Sequence, residues 1–336
     1  MAHNTDDEPK TNRSTYRKRL RNALSFKKTR SRRRKSLNPY SISFFGVWFL
    51  AMIAAVGFHA PDEPSYRAQL EEWHQNRIKS LKSETGWLNL AGLFWLNEGK
   101  NSVGRGPDFD VRFPVANELK ELGIFTLQNG EVRFTPNPGA SVQADGKPVT
   151  ESLVIFSGAK SKPPVLAHES LRWFIIKRGP KYGVRLRDLE GQFLRDFHGI
   201  DRFPIDETWK VKAKLEKPSE PKTIPILDVL GQTTQTPLAG TLVFDHAGKT
   251  YRLDAVGEGE KLFILFGDPT NEHDTYGAGR FLYADKPAAD GTTTLDFNQS
   301  INPPCAFTPY ATCPLPPKQN KLAVAIKAGE KRYGDH

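Results

Sequence analysis

The 336-residue sequence lacks the short motifs that identify the common nucleotide-binding and hydrolytic sites. It contains no G-x-G-x-x-G or G-x-x-x-x-G-K segment, the glycine-rich loops that hold dinucleotides and phosphates. It also has no G-x-S-x-G nucleophile elbow. The eight histidines are scattered, none with a partner two or four residues away, and the only two cysteines are eight residues apart. These spacings match no common metal site, so we predict neither a metal nor a cofactor.

Most of the chain has no excess of positive charge. The formal net charge is nevertheless +10, because the sequence contains 48 Lys and Arg and 38 Asp and Glu. Thirteen of the basic residues and only three acidic ones, Asp6, Asp7 and Glu8, lie between Met1 and Leu37. The other 299 residues therefore carry 35 basic and 35 acidic side chains and are neutral. Because a nucleic-acid-binding domain needs a basic folded surface, we expect no nucleic-acid partner.

One long stretch of the sequence is both free of charge and strongly apolar, the 17 residues from Ile42 to Phe58. As a helix it would extend about 26 Å, slightly less than a bilayer core of about 30 Å. Tyr40 and His59 can occupy the membrane interfaces at its two ends. A buried helix of a soluble domain would normally carry a polar stripe, which this stretch lacks. We therefore predict a transmembrane or signal-anchor helix over residues 40–60.

The charges on the two sides of this stretch predict its orientation. Lys and Arg are retained in the cytoplasm, whereas the flank after the predicted span contains Asp62 and Glu63. We expect a disordered cytoplasmic tail at 1–39 that touches anionic lipid, a single-pass anchor in the cell membrane, and an extracytoplasmic body at 61–336. The alternative is a secreted or periplasmic body released by cleavage near Gly57.

The body combines one amphipathic helix with a series of short strands. Helical spacing of Leu70 and Trp73 predicts the helix over residues 65–81. Asn129-Gly130 and Asp145-Gly146 accept the positive φ angles of two-residue hairpin turns. About a dozen strands follow one another without a long helix to provide parallel crossovers. We therefore predict a mainly β protein with an antiparallel sandwich or barrel-like body, preceded by the amphipathic helix and the transmembrane helix.

Proline and glycine indicate how the body is divided. The segment 157–164 contains one glycine and two prolines and is the predicted boundary between two β-units. We expect the helix and a first β-unit over 61–158, and a second β-unit over 165–331. Six of the fifteen residues from 303 to 317 are proline, which excludes a helix and removes sheet donors. The sequence therefore predicts a fixed, extended covering loop at 302–317.

Polar side chains are concentrated after the predicted strand at 261–266, and a strand end on a rigid β scaffold is a usual place for a binding site. Arg280 with Tyr276 can clamp a carboxylate or phosphate, because a guanidinium group donates two parallel hydrogen bonds. The predicted ligand-binding residues are Asp268, Thr270, Tyr276, Arg280, Asp296, Asn298 and Asn302. The alternative is a loop whose Asp and Thr side chains cap its own turns and whose Arg280 pairs with Asp268 or Asp296.

Both cysteines, Cys305 and Cys313, lie in the proline-rich covering loop. Outside the cytoplasm a disulfide between them is the expected state, and closing so small a ring contributes about 2–3 kcal/mol of stability. Two other interpretations stay open, buried free thiols and a catalytic thiol with His273 as its base.

These features favour a membrane-anchored, extracytoplasmic all-β protein that binds a small polar or anionic ligand. One alternative is a hydrolase that uses Asp268, His273 or Asp296 as general acid or base. A second alternative is a structural envelope protein without a small-molecule site.

Four stretches of the sequence resemble the DUF1684 family. They are GWLNLAGLFWLNEGKNSVG from Gly86, KRGPKYGVRLRD from Lys177, DTYGAGRFL from Asp274 and LDFNQSINPPCAFTPYATCPLPPKQNKLAVAIKAGEK from Leu295. The resemblance covers residues 66–331 and is to bacterial and archaeal proteins grouped by sequence. It implies the limits of the domain and the importance of the carboxy-terminal loop, and it implies no catalytic or binding residue. Family members without an export segment would hold the cysteine pair as thiols in a reducing cytoplasm.

Overall fold

The computed structural model describes residues 64–114, 121–158 and 162–334. The predicted tail at 1–39 and the predicted transmembrane helix at 40–60 lie outside these residues. Within the described ranges, no helix is long and apolar enough to cross a membrane. All of these residues belong to the unit formed by 61–336.

Strands dominate the described part of the chain. They are β1 (Leu90–Trp95), β2 (Gly99–Gly104), β3 (Val111–Arg112), β4 (Glu121–Gln128), β5 (Glu131–Pro136), β6 (Gln143–Ala144), β7 (Lys147–Pro148), β8 (Leu153–Phe156), β9 (Leu166–His168), β10 (Leu171–Arg178), β11 (Lys181–Asp188), β12 (Lys210–Glu216), β13 (Thr223–Leu227), β14 (Thr233–His246), β15 (Lys249–Glu258), β16 (Lys261–Phe266), β17 (Arg280–Asp285) and β18 (Thr292–Asp296). The helices are α1 (Tyr66–Lys82), the four-residue α2 (Gln192–Arg195) and the 3₁₀ turns Trp87–Asn89, Glu207–Trp209, Phe297–Gln299, Pro304–Ala306 and Lys318–Asn320. Neighbouring strands are antiparallel apart from the short parallel pair β2 and β3. The prediction of a mainly β, antiparallel body preceded by one helix is confirmed.

Helix α1 forms because its sequence contains neither glycine nor proline and begins with a good N-cap. The Ser65 hydroxyl accepts a hydrogen bond from the Ala68 backbone N–H at 3.3 Å, satisfying one free donor of the first turn. Leu70, His74 and Leu81 are buried, and Leu81 packs in an apolar cluster with residues from later in the chain. The helix is thereby attached to the β body along one face.

The first half of the body is a sandwich of two sheets. One sheet has the order β3-β2-β4-β5-β8 and the other has the order β1-β11-β10-β9-β6-β7. Their facing side chains form one core around the fully buried Trp173, which meets Phe113 and Phe134 edge to face. Both predicted two-residue turns occur, with positive φ at Asn129-Gly130 and at Asp145-Gly146.

The segment 157–164, which we predicted as a boundary between β-units, connects β8 of one sheet to β9 of the other. Strand β9 follows this segment and pairs with β6, which precedes it. The segment is therefore a connection between two sheets that share one apolar core.

The second half of the body is a strongly curved sheet with the order β17-β16-β15-β14-β12-β18, and β13 pairs with one end of β14. Alternation along β12 is strict, since Val211, Ala213 and Leu215 are buried and the lysines between them are exposed. The sheet is nearly closed into a barrel. The Thr293 hydroxyl of β18 donates to the Asp285 carbonyl of β17 at 2.9 Å across the remaining gap.

The proline-rich loop at 302–317 lies where the sandwich and the barrel meet. The Val229 N–H donates to the Cys313 carbonyl at 3.0 Å, and the Leu315 N–H donates to the Leu227 carbonyl at 2.8 Å. Cys313 packs in an apolar cluster that includes Leu90 of β1 and Phe281 of β17. The loop is therefore in contact with strands of both halves.

We predict that Gly240→Ala destabilises the protein by about 2–6 kcal/mol. Gly240 lies at a bulge in β14 with a φ of +155°, and a Cβ atom there would lie 2.7 Å from the Glu216 carbonyl oxygen. The loss combines backbone strain with overpacking, each of about 1–3 kcal/mol. Gly248→Ala is the matched control, because Gly248 also has positive φ but faces open space, so only about 1–2 kcal/mol should be lost. Urea unfolding followed by tryptophan fluorescence measures both, and equal losses would contradict the steric argument.

Candidate functional site

Two of the residues predicted to bind a ligand, Asp268 and Arg280, form an ion pair with each other. An Arg280 Nη2 atom lies 2.8 Å from Asp268 Oδ2, and both side chains are fully buried. The same guanidinium group donates to the carbonyls of Ile326 and Ala328 at 2.8 and 2.5 Å. It also lies 5.2 Å from the ring centroid of Phe266. Every strong interaction of this arginine is therefore with the protein itself.

The remaining oxygen of Asp268 caps its own turn. Asp268 Oδ1 accepts from the Thr270 N–H at 2.9 Å, from the Thr270 hydroxyl at 2.6 Å and from the Ile326 N–H at 3.2 Å. Thr270 also contacts the Thr275 hydroxyl at 2.8 Å. These contacts match the alternative stated above, in which the loop caps itself and Arg280 pairs with Asp268.

Asp296 and Asn298 form a second buried polar cluster, which attaches α1 to the barrel. The Tyr66 hydroxyl lies 2.9 Å from both oxygens of Asp296 and accepts from Asn298 Nδ2 at 3.0 Å. Burial, together with the Asp296 carboxylate, raises the pKa of Tyr66 well above its usual value. The Asn298 amide also donates to the Asp206 carbonyl at 2.9 Å.

The other two predicted site residues lie elsewhere. Tyr276 is half-buried in the apolar cluster below α1, and burial raises the pKa of its phenol. Asn302 donates from Nδ2 to the Lys331 carbonyl at 2.7 Å and from its backbone N–H to Glu330 Oε2 at 2.6 Å. The seven predicted residues thus do not line one common site. Most of their hydrogen bonds are made to the backbone of the carboxy-terminal segment.

The three residues of the hydrolase hypothesis are also separate. Asp268 and Asp296 are occupied by the contacts above, and His273 is exposed on a turn. Within 64–114, 121–158 and 162–334, no hydrogen bond joins the His273 side chain to either carboxylate. The same ranges contain no group of three His, Cys, Asp or Glu side chains placed to hold a metal ion.

A cavity of about 390 Å³ lies between the outer face of the β10–β11 hairpin, the barrel strands β15–β17 and the proline-rich loop. We call it the arginine cavity. Its charged lining residues are Arg77, Arg178, Arg185 and Glu258. Its aromatic lining residues are Trp87, Phe263, Phe281 and Tyr283. The junction of two packed units is a common location for a small-molecule site.

Arg185 is the unusual residue of this cavity. Its neighbours Val184 and Leu186 point into the sandwich core, so strand alternation places Arg185 on the opposite face of β11. The side chain is nevertheless only 6% exposed, and in the described part of the chain it has no ion pair with a carboxylate. Its Nε is buried without a hydrogen-bond partner. Burial, with the nearby charges of Arg178 and Arg187, lowers the pKa of Arg185 to about 10.

Arg178 and Arg185 converge on the proline-rich loop. Arg178 Nε and Arg185 Nη2 each donate to the Thr312 hydroxyl oxygen at 3.2 Å. Two cationic side chains therefore share one neutral acceptor, and neither has an ion pair among the described residues. An anion placed between them would supply the missing negative charge.

The third arginine of the cavity is already neutralised. Arg77 Nε lies 3.1 Å from the buried Glu330 carboxylate, and Arg77 Nη2 donates to the Asn302 carbonyl at 3.1 Å. Asn302 also lines the cavity. It is the only one of the seven predicted ligand-binding residues in this lining. The excess positive charge thus comes from Arg178 and Arg185.

Three other cavities have a weaker chemical character, and one of them, of about 340 Å³, is lined only by polar side chains of the β4–β5 hairpin. One of about 480 Å³ lies near Asp268 and is lined by Glu272 and Lys321, with Asp268 itself already paired. Another of about 700 Å³ lies along 144–164, with lysines and acidic residues both in its lining. None of the three combines buried charge of one sign with an apolar wall. The arginine cavity is therefore the candidate site.

The sequence contained a partial signal for this site. Arg178 and Arg185 lie within KRGPKYGVRLRD, one of the stretches that resemble DUF1684. Alternation of Val184, Arg185 and Leu186 is compatible with Arg185 on the outer face of a strand, where an arginine normally meets solvent. No local pattern indicates that a second unit covers this face, so sequence reasoning missed the site.

Comparison with known proteins gives a family match and a solved relative. A sequence profile described as "Protein of unknown function (DUF1684)" matches residues 195–331. An uncharacterized protein of Haloarcula marismortui, solved by solution NMR, is 32% identical. The match covers 42% of this chain and 80% of that chain, with a TM-score of 0.36. No curated protein matches the sequence.

We predict that Arg280→Gln destabilises the protein by about 3–5 kcal/mol, because Asp268 would be left as an unpaired buried charge. Arg252→Gln is the control, since Arg252 makes an exposed pair with Glu216 and should cost less than about 1 kcal/mol. Chemical unfolding of the two variants gives the comparison. A loss of less than about 1 kcal/mol for Arg280→Gln would show that its pair with Asp268 is not structural.

Proposed function

The chain belongs to the DUF1684 family, and for it we propose that a membrane-anchored, extracytoplasmic β body binds a small anionic ligand in the arginine cavity. The ligand carries a carboxylate or phosphate group that lies between Arg178 and Arg185. This proposal moves the site from the loop around Arg280 to the junction between the sandwich and the barrel.

One observation carries the proposal, the burial of Arg185 without a carboxylate partner. Burying an unpaired charge costs several kcal/mol, and folded proteins normally avoid it by pairing the charge. Arg178 adds a second cation close by and increases that cost. Such an arrangement is stabilised when an anion enters, because attraction between charges is strong in a site from which water is largely excluded.

The geometry of the two arginines favours an oxyanion as the ligand. Guanidinium groups donate parallel hydrogen bonds that match the oxygens of a carboxylate or phosphate. Thr312 already accepts one bond from each arginine, which limits their rotation before a ligand arrives. A ligand would therefore meet two partly oriented donors and lose less affinity to side-chain ordering.

The membrane part of the proposal is supported by the sequence. The uncharged stretch from Ile42 to Phe58 follows a segment with an excess of ten positive charges and precedes a neutral body. By the positive-inside rule this arrangement holds the amino terminus in the cytoplasm and exports the body. The disulfide between Cys305 and Cys313 is consistent with an oxidising compartment.

We predict that orthophosphate and acetate, each titrated at constant ionic strength, raise the thermal midpoint of the wild-type protein. Arg185→Gln should abolish this rise, since losing a hydrogen bond to a charged group costs about 1.5–3 kcal/mol, a factor of about ten or more in affinity. Arg252→Gln removes an exposed charge that is not part of the cavity lining and should keep the full rise.

The stability of ligand-free Arg185→Gln separates a binding role from a structural one. A charge retained for binding lowers the stability of the empty protein, so its removal should leave the unfolding free energy unchanged or higher. If instead the variant loses about 3 kcal/mol or more and keeps its response to anions, Arg185 is structural and the proposal is wrong.

The predicted topology is tested with reporters fused after His336. Alkaline phosphatase, which matures only outside the cytoplasm, should be active in this fusion, and β-galactosidase should be inactive. The full-length fusion should be found in the membrane fraction. Deleting residues 40–60 should reverse both reporter results. A fusion active only as β-galactosidase would refute the exported body.

A further inference from the structure

We propose that the anionic ligand of the arginine cavity carries an aromatic ring, which packs against Phe263 and Tyr283 while its acidic group binds Arg178 and Arg185. The inference rests on the proposed anion binding and adds the chemical class of the ligand. It is based on the aromatic residues of β16 and β17 that line the cavity together with the arginines.

Register between two barrel strands builds this aromatic wall. Phe263 of β16 and Tyr283 of β17 are direct cross-strand partners, so their side chains lie on the same face of the sheet. Their ring centroids are 5.0 Å apart with an interplanar angle of 23°. Phe281, two residues before Tyr283, lies on that face and meets Phe263 edge to face at 4.9 Å.

This aromatic face points away from the barrel core. The alternate residues Ile264 and Leu282 are fully buried inside the barrel. Tyr283 is 37% exposed, and Phe263 is only partly buried. Large aromatic side chains left open in a concave site are typical of ligand contacts, because covering them with an apolar group is favourable.

The phenol of Tyr283 adds no charge to the aromatic wall. Burial, followed by the neighbouring Glu258 carboxylate, raises the pKa of Tyr283 to about 12. The phenol therefore stays neutral at physiological pH, and the one carboxylate of the cavity lining, Glu258, is exposed to solvent. Positive charge comes from one side of the cavity and aromatic surface from the other.

The charged wall and the aromatic wall together narrow the chemical class of the ligand, because simpler anions would contact only one of them fully. Inorganic phosphate or acetate would satisfy the arginines and leave the aromatic wall uncovered. An alkyl acid would cover the wall without the offset or edge contacts that aromatic rings prefer. A cavity of about 390 Å³ is at the small end of small-molecule pockets, which fits a compact aryl acid or aryl phosphate.

The test compares affinities of the full chain, purified in detergent, for benzoate, hexanoate and acetate, and for phenyl phosphate and inorganic phosphate. We expect benzoate and phenyl phosphate to bind at least tenfold more tightly than acetate and phosphate. We expect benzoate to bind about two- to tenfold more tightly than hexanoate, the range that one aromatic contact contributes beyond buried area.

Variants of the aromatic wall provide a matched control. Tyr283→Phe keeps the ring and should keep the preference for benzoate over hexanoate, whereas Tyr283→Ile removes the ring and should abolish that preference. Isoleucine suits a strand, and Tyr283 is partly exposed, so the fold should tolerate it. Phe263→Leu tests the other half of the wall, and acetate affinity should stay unchanged in all three variants.

The outcomes separate this inference from the proposed function. Two results would overturn the aromatic inference and leave anion binding in place. In the first, acetate and phosphate bind through Arg185 and the aromatic ligands bind no more tightly. In the second, hexanoate binds as tightly as benzoate. If none of the five anions binds, both are overturned. Loss of the benzoate preference in Tyr283→Ile with retention in Tyr283→Phe supports the inference.

Discussion

The β10–β11 hairpin and the proline-rich loop meet at the junction between the two halves of the body, and the position of the cavity depends on this contact. Arg178 and Arg185 extend from the hairpin and donate to the hydroxyl of Thr312 in the loop. The loop is in turn hydrogen-bonded to the β13–β14 hairpin of the barrel. Six prolines in fifteen residues exclude a long helix, so the predicted extended loop instead contains one 3₁₀ turn at Pro304–Ala306, and the disulfide between Cys305 and Cys313 closes its central part. Arg185, which this packing buries, makes no ion pair with a carboxylate among the described residues, and this is the observation on which the proposed anion site rests.

Buried polar residues serve two different purposes in this protein. In the carboxy-terminal segment, polar side chains satisfy backbone carbonyls that irregular chain cannot pair in a sheet. Asn302 and Asn320, for example, donate to the carbonyls of Lys331 and Leu265. In the arginine cavity the hydrogen bonding is incomplete, because two guanidinium groups share one hydroxyl. Buried polar atoms without a partner also occur in the carboxy-terminal segment, at Arg280 Nε, Ser300 Oγ and Asn302 Oδ1. The cavity differs in that its buried cation, Arg185, has no ion pair among the described residues.

Much of the fold could be predicted because its signals are local. The Asn129-Gly130 and Asp145-Gly146 turns, helix α1 and the antiparallel strands all depend on residues close together in sequence. The candidate site could not be predicted in the same way. The same residue types as those around Arg280 can either bind a ligand or form hydrogen bonds to the backbone of a loop. The sequence does not show which of these contacts they make. The tail at 1–39 and the span at 40–60 lie outside the described residues and stay predictions.

The sequence by itself determined that the body is mainly β, where its hairpins turn and where its charge excess lies. Turn geometry and strand alternation act over a few residues, and charge can be counted. Only the tertiary structure decided that Arg280 is enclosed with Asp268 and that Arg185 is buried without a carboxylate among the described residues. Burial of an outward strand face depends on a loop far later in the chain, at Thr312, and no local pattern contains that contact.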